Sequence, residues 1–307
     1  MLFRLILLAL AGIYYIAYKV HHRFCLRQGS PLGHARLIVV GSFLAGGAGK
    51  TPFVAWLAQF ISAGKEGAAG NDGAVGKEDD AGKNGDAPRI AILCHDRAQD
   101  EAAMLRQKFA GMPQVHVIAT PNRYRSAHEI DRDYDFIICD DGFEDSRLAG
   151  AITIRLDRAG TPQRIADLVP AGKNRSLPRD HEEPAVTLGQ GDIRFRIGRI
   201  ANAGNEPCPA GPVVICGIGD PERFRQDLAS YGIEPAGFIA RPDHDRRFEQ
   251  TIMKFLAQGA SLVMTEKDFA RLPEKWRLHP NVFVAYQEIE VSAPAAEAIR
   301  ACCGLNA

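Results

Sequence analysis

A doubly wound parallel α/β sheet, with a second, smaller α/β lobe after it and an apolar helix before it, is the architecture this 307-residue sequence predicts. Three observations predict it. Short, continuous apolar runs such as Arg36 to Gly41 (RLIVVG) and Asp135 to Asp140 (DFIICD) read as strands covered on both faces, and they alternate with helical stretches. A second strand-and-helix series begins after about residue 190. An uncharged run of fourteen residues, Leu5 to Tyr18, precedes both.

Taken in order, the run LILLALAGIYYIAY is shorter than the ~20 residues that span a bilayer. Arg4 precedes it, and Lys19, His21, His22, Arg23 and Arg27 follow. That basic flank stands where a signal peptide needs a small, uncharged cleavage region. Together with Tyr14, Tyr15 and Tyr18 it suits an interfacial helix on anionic lipid, so residues 1–28 are expected to form a membrane-surface anchor. A packed core helix is the other reading. The strand at 36–41 then feeds a glycine-rich loop and a helix over 50–62. Residues 63–87 hold seven of the 30 glycines and only Val75 as a large apolar side chain, so a flexible insert is expected there. Its glycines fall in a G-X-Y register that lapses at Asp79, and the tract has no proline, which excludes a collagen helix. Strands at 89–94, 115–119, 135–140 and 151–156, with a helix near 98–109, complete a nucleotide-binding domain assigned to 29–180. Strands at 192–200, 212–217, 261–264 and 282–291 and helices near 222–231 and 248–257 make up the second lobe, assigned to 181–307.

Composition agrees with this plan and excludes other classes. Hydrophobic residues are 46% and charged residues 24%, the balance of an ordinary globular chain. Lys+Arg and Asp+Glu both number 37, so bulk charge gives no reason to expect a nucleic-acid partner. Seven cysteines form no C-x-x-C pair, which predicts neither a disulfide framework nor a thiolate metal site.

The strongest chemical motif is Gly41 to Pro52, GSFLAGGAGKTP, between a predicted strand and a predicted helix. Such a P-loop binds phosphate because the backbone N–H groups of Gly46, Gly47, Ala48 and Gly49 converge at a helix N-terminus. Lys50 then reaches the β- and γ-phosphates, Thr51 offers a hydroxyl to Mg²⁺, and Pro52 opens the helix. Leu44 stands at the first glycine of the strict pattern. A second element, FIICDDG at 136–142, places Asp140 and Asp141 at the carboxyl end of a strand, where ligands collect and an acidic Mg²⁺ partner is required. The two elements predict Mg²⁺-dependent nucleotide chemistry.

These motifs, with VPAGKNR, GIGDPERF at 217–224, PDHD at 242–245 and MTEKD at 264–268, resemble the tetraacyldisaccharide 4′-kinases of lipid A biosynthesis in order and spacing. The resemblance spans nearly the whole chain outside the glycine-rich insert, and that family also tends to lack the first glycine. It implies ATP-dependent phosphorylation of the 4′-hydroxyl of a lipid A disaccharide precursor at the cytoplasmic face of the inner membrane; a monomer is expected. It further implies Asp100 as the base that accepts the hydroxyl proton, His244 as the hydrogen-bonding partner of Asp100, and Arg123 as a phosphate-neutralising arginine. Thr265 to Asp268 is expected to contact the nucleotide or to join the lobes. Two departures stand out. The segment from Cys94 to Asp100 lacks the family's S-R-G-Y-G loop, and Ser176 stands where the family carries a glutamate, with Glu144 and Asp145 replacing its usual Q-H. A carboxylate from Glu144 or Asp145 would compensate. The competing classes are a P-loop GTPase or metallochaperone, which needs N-K-x-D at the TEKD position, and a nucleotide-binding membrane scaffold without turnover.

Overall fold

The computed structural model describes residues 2–24, 29–45, 47–64, 87–148, 150–157, 160–242, 245 and 247–305. Helix α1 (Leu2–Phe24) leads into the first lobe: β1 (Arg36–Gly41), α2 (Lys50–Ser62), β2 (Ile90–His95), α3 (Gln99–Lys108), β3 (Val115–Thr120), α4 (Arg123–Glu129), β4 (Phe136–Asp140), β5 (Ile152–Leu156) and β6 (Val186–Leu188). The second lobe comprises β7 (Ile193–Ala201), β8 (Val213–Cys216), α5 (Pro221–Tyr231), β9 (Gly237–Ala240), α6 (Phe248–Leu256), β10 (Leu262–Thr265), α7 (Glu266–Ala270), α8 (Glu274–Arg277) and β11 (Val282–Val291), before a last helix α9 (Ala293–Cys302).

The first sheet runs β3-β2-β4-β1-β5-β6 and all its pairs are parallel. The second runs β7-β11-β10-β8-β9 and is parallel except for β7, which lies antiparallel to β11. The predicted α/β class is present. In the first sheet β1, β2 and β4 are apolar almost throughout because helices cover both faces. Ile38, Val40, Ile92 and Ile138 pack with Phe53, Leu57 and Ile61 of α2, while Leu37, Val39, Leu93 and Ile137 pack on the other side with Ala127 and Leu148. Each of these large aliphatic side chains contributes roughly 1.5–3 kcal/mol by leaving water. From β1 the chain moves to β2 on one side and later to β5 on the other, so the order reverses beside β1, where open α/β sheets gather ligands.

The lobes share apolar packing. Ile193 and Phe195 of β7 and Ala295, Ile299 and Cys303 at the C-terminal end all belong to the first lobe's core. Helix α9 was not expected from the sequence, although Ser292 caps it by accepting from Ala295 N and Pro294 sits in its first turn.

Helix α1 is longer than its fourteen-residue apolar run. It continues through the basic flank, and Leu2 to Arg23 is long and apolar enough by length and composition to cross a membrane. Leu2, Phe3, Leu5, Ile6, Ile13 and Ile16 are exposed and, among the described side chains of the helix, only Ala11 is buried, which removes the core-helix reading. The tyrosines differ from expectation. The Tyr14 hydroxyl donates to the Arg175 carbonyl at 2.8 Å, Tyr15 donates to Asp180 Oδ1 at 3.1 Å, and Tyr18 lies 3.3 Å from His181 Nε2. Lys19 pairs with Asp180 at 3.0 Å. The C-terminal end of α1, expected at lipid headgroups, instead spends these polar groups on the segment 175–181.

Candidate active site

Strands β1 and β4 are neighbours with Val40 opposite Asp140, which sets the loop after β1 beside the end of β4. Thr51, in the first turn of α2, donates to Asp140 Oδ2 at 2.8 Å. Asp140 is buried, and its Oδ1 has no hydrogen-bond partner among the described residues. Burial, reinforced by the charges of Asp141 and Glu101 and opposed by the Thr51 hydrogen bond, pushes the Asp140 carboxyl up to about 7. A buried carboxylate with one open oxygen, next to a hydroxyl, is the hard-oxygen pair that Mg²⁺ prefers. Among the described residues no three His, Cys, Asp or Glu side chains form an all-protein cage, so an ion here would draw its remaining ligands from water and phosphate.

Asp141 turns away from Asp140 through a left-handed backbone, φ 58°. Lys50 Nζ lies 3.2 Å from its Oδ1 and Arg175 donates to its Oδ2 at 2.8 Å. Burial alone would raise this carboxyl, but Lys50 and Arg175 outweigh it and hold Asp141 below the usual carboxylate range. Arg175 also donates to the Ala45 carbonyl at 2.9 Å, so it braces the phosphate loop from the side of the 175–181 segment. Arg123, at the start of α4, donates to the Asp140 carbonyl at 2.6 Å and lines the same cleft.

Within the loop, Gly47 and Gly49 have φ of 71° and 78°. A Cβ on Gly49 would stand 2.4 Å from Phe195 Cζ of β7, so this position needs glycine twice over. Ala48 and Pro52 line the cleft with them; Gly46 lies outside the described residues.

Across the cleft, Asp100 in the first turn of α3 meets Arg271 just after α7, Oδ2 to Nε 2.9 Å. Arg271 also donates to the Gly217 carbonyl at 3.2 Å. Asp268, wholly buried, accepts from Gly217 N at 3.1 Å and from the Thr265 hydroxyl at 2.7 Å. Lys267 lies 3.5 Å from Glu101. Lys267 of the TEKD segment and Arg271 just beyond it thus join the lobes through ion pairs to Glu101 and Asp100. His244 lies outside the described residues. The walls enclose about 840 Å³, with the phosphate loop, Asp100, Arg123 and Asp140 on one side and Ile218, Phe224 and Gln287 on the other.

Ser176 donates to Glu144 Oε1 at 3.3 Å, so the carboxylate supplied by Glu144 sits beside the position that Ser176 occupies. Burial raises the Glu144 carboxyl above its ordinary value. His181 Nε2 lies 2.9 Å from the same Ser176 hydroxyl, and burial together with the charge of His22 lowers its pKa to about 4. A histidine held below its unfolded value of ~6.5 takes up fewer protons when folded, so stability should fall as pH drops from 6.5 through 4. The expected result is a melting temperature that declines across this window in the wild type and declines less in His181→Gln. Parallel curves would mean that His181 does not carry the dependence.

The sequence missed Arg175, Arg271 and His181. Arg175 falls inside a quoted segment, but nothing in VPAGKNR states that its guanidinium turns toward Asp141.

A family model for tetraacyldisaccharide-1-P 4′-kinases matches residues 3–303. A tetraacyldisaccharide 4′-kinase from Shewanella halifaxensis is 31% identical over 252 residues, covering 76% of this chain and 73% of that protein. One from Parvibaculum lavamentivorans is 32% identical over 271 residues, covering 79% and 76%. Among solved structures, LpxK from Aquifex aeolicus in complex with ATP superposes with a TM-score of 0.67 at 20% identity, over 98% of this chain and 99% of that one, a likeness of fold.

Proposed function

The chain belongs to the tetraacyldisaccharide-1-P 4′-kinase family, and from that premise we propose that its cleft transfers the γ-phosphoryl group of ATP to the 4′-hydroxyl of a tetraacyldisaccharide 1-phosphate, with Asp100 as the base. The observation that carries the reading is the contact between Thr51 and Asp140 at the head of α2, with Lys50 and Asp100 on the same cleft. The phosphate loop and Lys50 hold the triphosphate, and Lys50 exchanges Asp141 for phosphate oxygens as the nucleotide enters. Thr51 and Asp140 would hold Mg²⁺, which supplies charge neutralisation across the β- and γ-phosphates. Asp100 accepts the proton of the 4′-hydroxyl as that oxygen bonds to the γ-phosphorus; the bond to the β-γ bridging oxygen breaks and ADP leaves. Arg271 fixes the direction of the Asp100 carboxylate from the second lobe. His244 is assigned as the second partner of Asp100 on the family resemblance.

The reading is tested by the product. The expected result is a single phosphate at the 4′ oxygen by mass spectrometry and NMR, and none on a 4′-deoxy analogue; phosphorylation of that analogue would contradict the assignment.

Lipid A precursors are membrane-embedded, and the exposed face of α1 supports a seat on the cytoplasmic face of the inner membrane. Replacing Leu5, Ile6, Ile13 and Ile16 by glutamine keeps the tyrosine contacts with 175–181 while removing apolar surface. The variant should move from the membrane to the soluble fraction. If it stays with the membrane, another surface docks.

A further inference from the structure

The triphosphate is gripped so far from one wall only. The opposite wall carries Arg223, in the first turn of α5, within the segment GIGDPERF. Its surroundings differ from those of Lys50, Arg147 and Arg175 in the same cleft. Lys50 and Arg175 are taken up by Asp141, and Arg147 by Asp145 through two bonds of 2.8 Å. Arg223 Nε lies 3.8 Å from Asp227 Oδ2, beyond hydrogen-bond length, and its second terminal nitrogen is buried with no hydrogen-bond partner among the described residues. An N–H left dry and unpaired costs free energy, so such a group is poised for an acceptor that arrives later.

Position says which acceptor. The Arg223 guanidinium lies 4.8 Å from the centre of the Phe195 ring. That same ring closes on Gly49, at the point where α2 begins and the loop presents its N–H groups. The aromatic ring thus seats an arginine of the second lobe next to the phosphate loop of the first. Only the planar fork of an arginine can stack on a ring and still direct N–H groups at oxyanions.

We propose that Arg223 contacts the β- and γ-phosphate oxygens of the bound nucleoside triphosphate from the second lobe and stabilises the charge that gathers on them as the β-γ bridging bond breaks. The proposal rests on the cleft being the nucleotide site. Arg223 acts there as a built-in arginine finger, and Phe195 fixes its approach.

The test compares Arg223→Gln, Arg223→Lys and Arg223→Met, with Asp227→Asn as a control. Affinities for ATP and AMP are measured by calorimetry, and kcat and KM with the lipid acceptor. The expected result is a loss of kcat of about 100-fold or more in the glutamine and methionine variants, a smaller loss in the lysine variant, weaker ATP binding and unchanged AMP binding. The methionine variant keeps an apolar stem over Phe195, so it separates loss of charge from loss of packing. Values of kcat and ATP affinity within about twofold of wild type, or equal weakening of ATP and AMP, would overturn the proposal. The comparison of ATP with AMP reads binding alone, so it stays decisive even if the wild type transfers no phosphate to the lipid.

Discussion

Asp140→Asn is expected to reduce phosphate transfer on the order of a thousand-fold while leaving the fold intact. The asparagine keeps an oxygen for the Thr51 hydroxyl, which now bonds Asp140 Oδ2 at 2.8 Å, and it fits the same buried space at the end of β4. What it loses is the negative charge that a divalent cation needs beside the triphosphate. Stability should respond in the opposite direction. A carboxyl raised to about 7 from its ordinary 3.8 holds its proton more tightly in the folded state, so the metal-free wild type loses stability as pH rises from 3.8 through 7. Asp140→Asn lacks that loss, and its metal-free melting temperature at pH 8 should equal or exceed that of the wild type. Activity titrated against Mg²⁺, together with melting curves, checks both halves. A variant with near wild-type turnover and unchanged Mg²⁺ dependence would take Asp140 out of the metal site.

Asp100→Asn should lower kcat by about 10²–10⁴ with nucleotide affinity retained. The side chain sits in the first turn of α3, across the cleft from the second lobe, and Arg271 fixes its direction at 2.9 Å. Asparagine offers an oxygen to Arg271 but cannot accept the hydroxyl proton at neutral pH. Loss of turnover with tight ATP binding separates an enzyme from a scaffold that merely binds nucleotide. Unchanged turnover would remove Asp100 as the base, and loss of ATP binding would recast it as a structural contact between the lobes.

Much of this arrangement could be read from the amino-acid sequence because it depends on local pattern. RLIVVG followed by GGAGKTP predicts a strand, a glycine loop and a helix in one stretch, and the strand and the helix lie where the pattern put them. FIICDD ends a strand for the same reason, with Asp140 as its last residue. What escaped the sequence depends on contacts between distant segments. Val186 to Leu188 is a three-residue edge strand, too short to show a period, and it exists because β5 offers it a partner. Arg271 reaches Asp100 across 171 positions, and no spacing rule links them. The tyrosines of α1 illustrate the limit best. Their amphipathic character fits a lipid interface and a protein groove equally well, and only the packing of the helix end on 175–181 decides between the two. The exchange of a family glutamate for Ser176 was legible as a departure. That Glu144 lies against Ser176 followed only from the turn after β4.

Phosphoryl transfer from ATP to a lipid acceptor in this cleft is decided by one assay. The detergent-solubilised protein is incubated with Mg-ATP and a tetraacyldisaccharide 1-phosphate, and labelled phosphate in the lipid is counted for the wild type and for Lys50→Ala. The account predicts time-dependent transfer in the wild type and none above background in the variant, whose fold is confirmed by its melting curve. Equal transfer by both proteins, or ATP binding by the wild type with no label in the lipid, would contradict it.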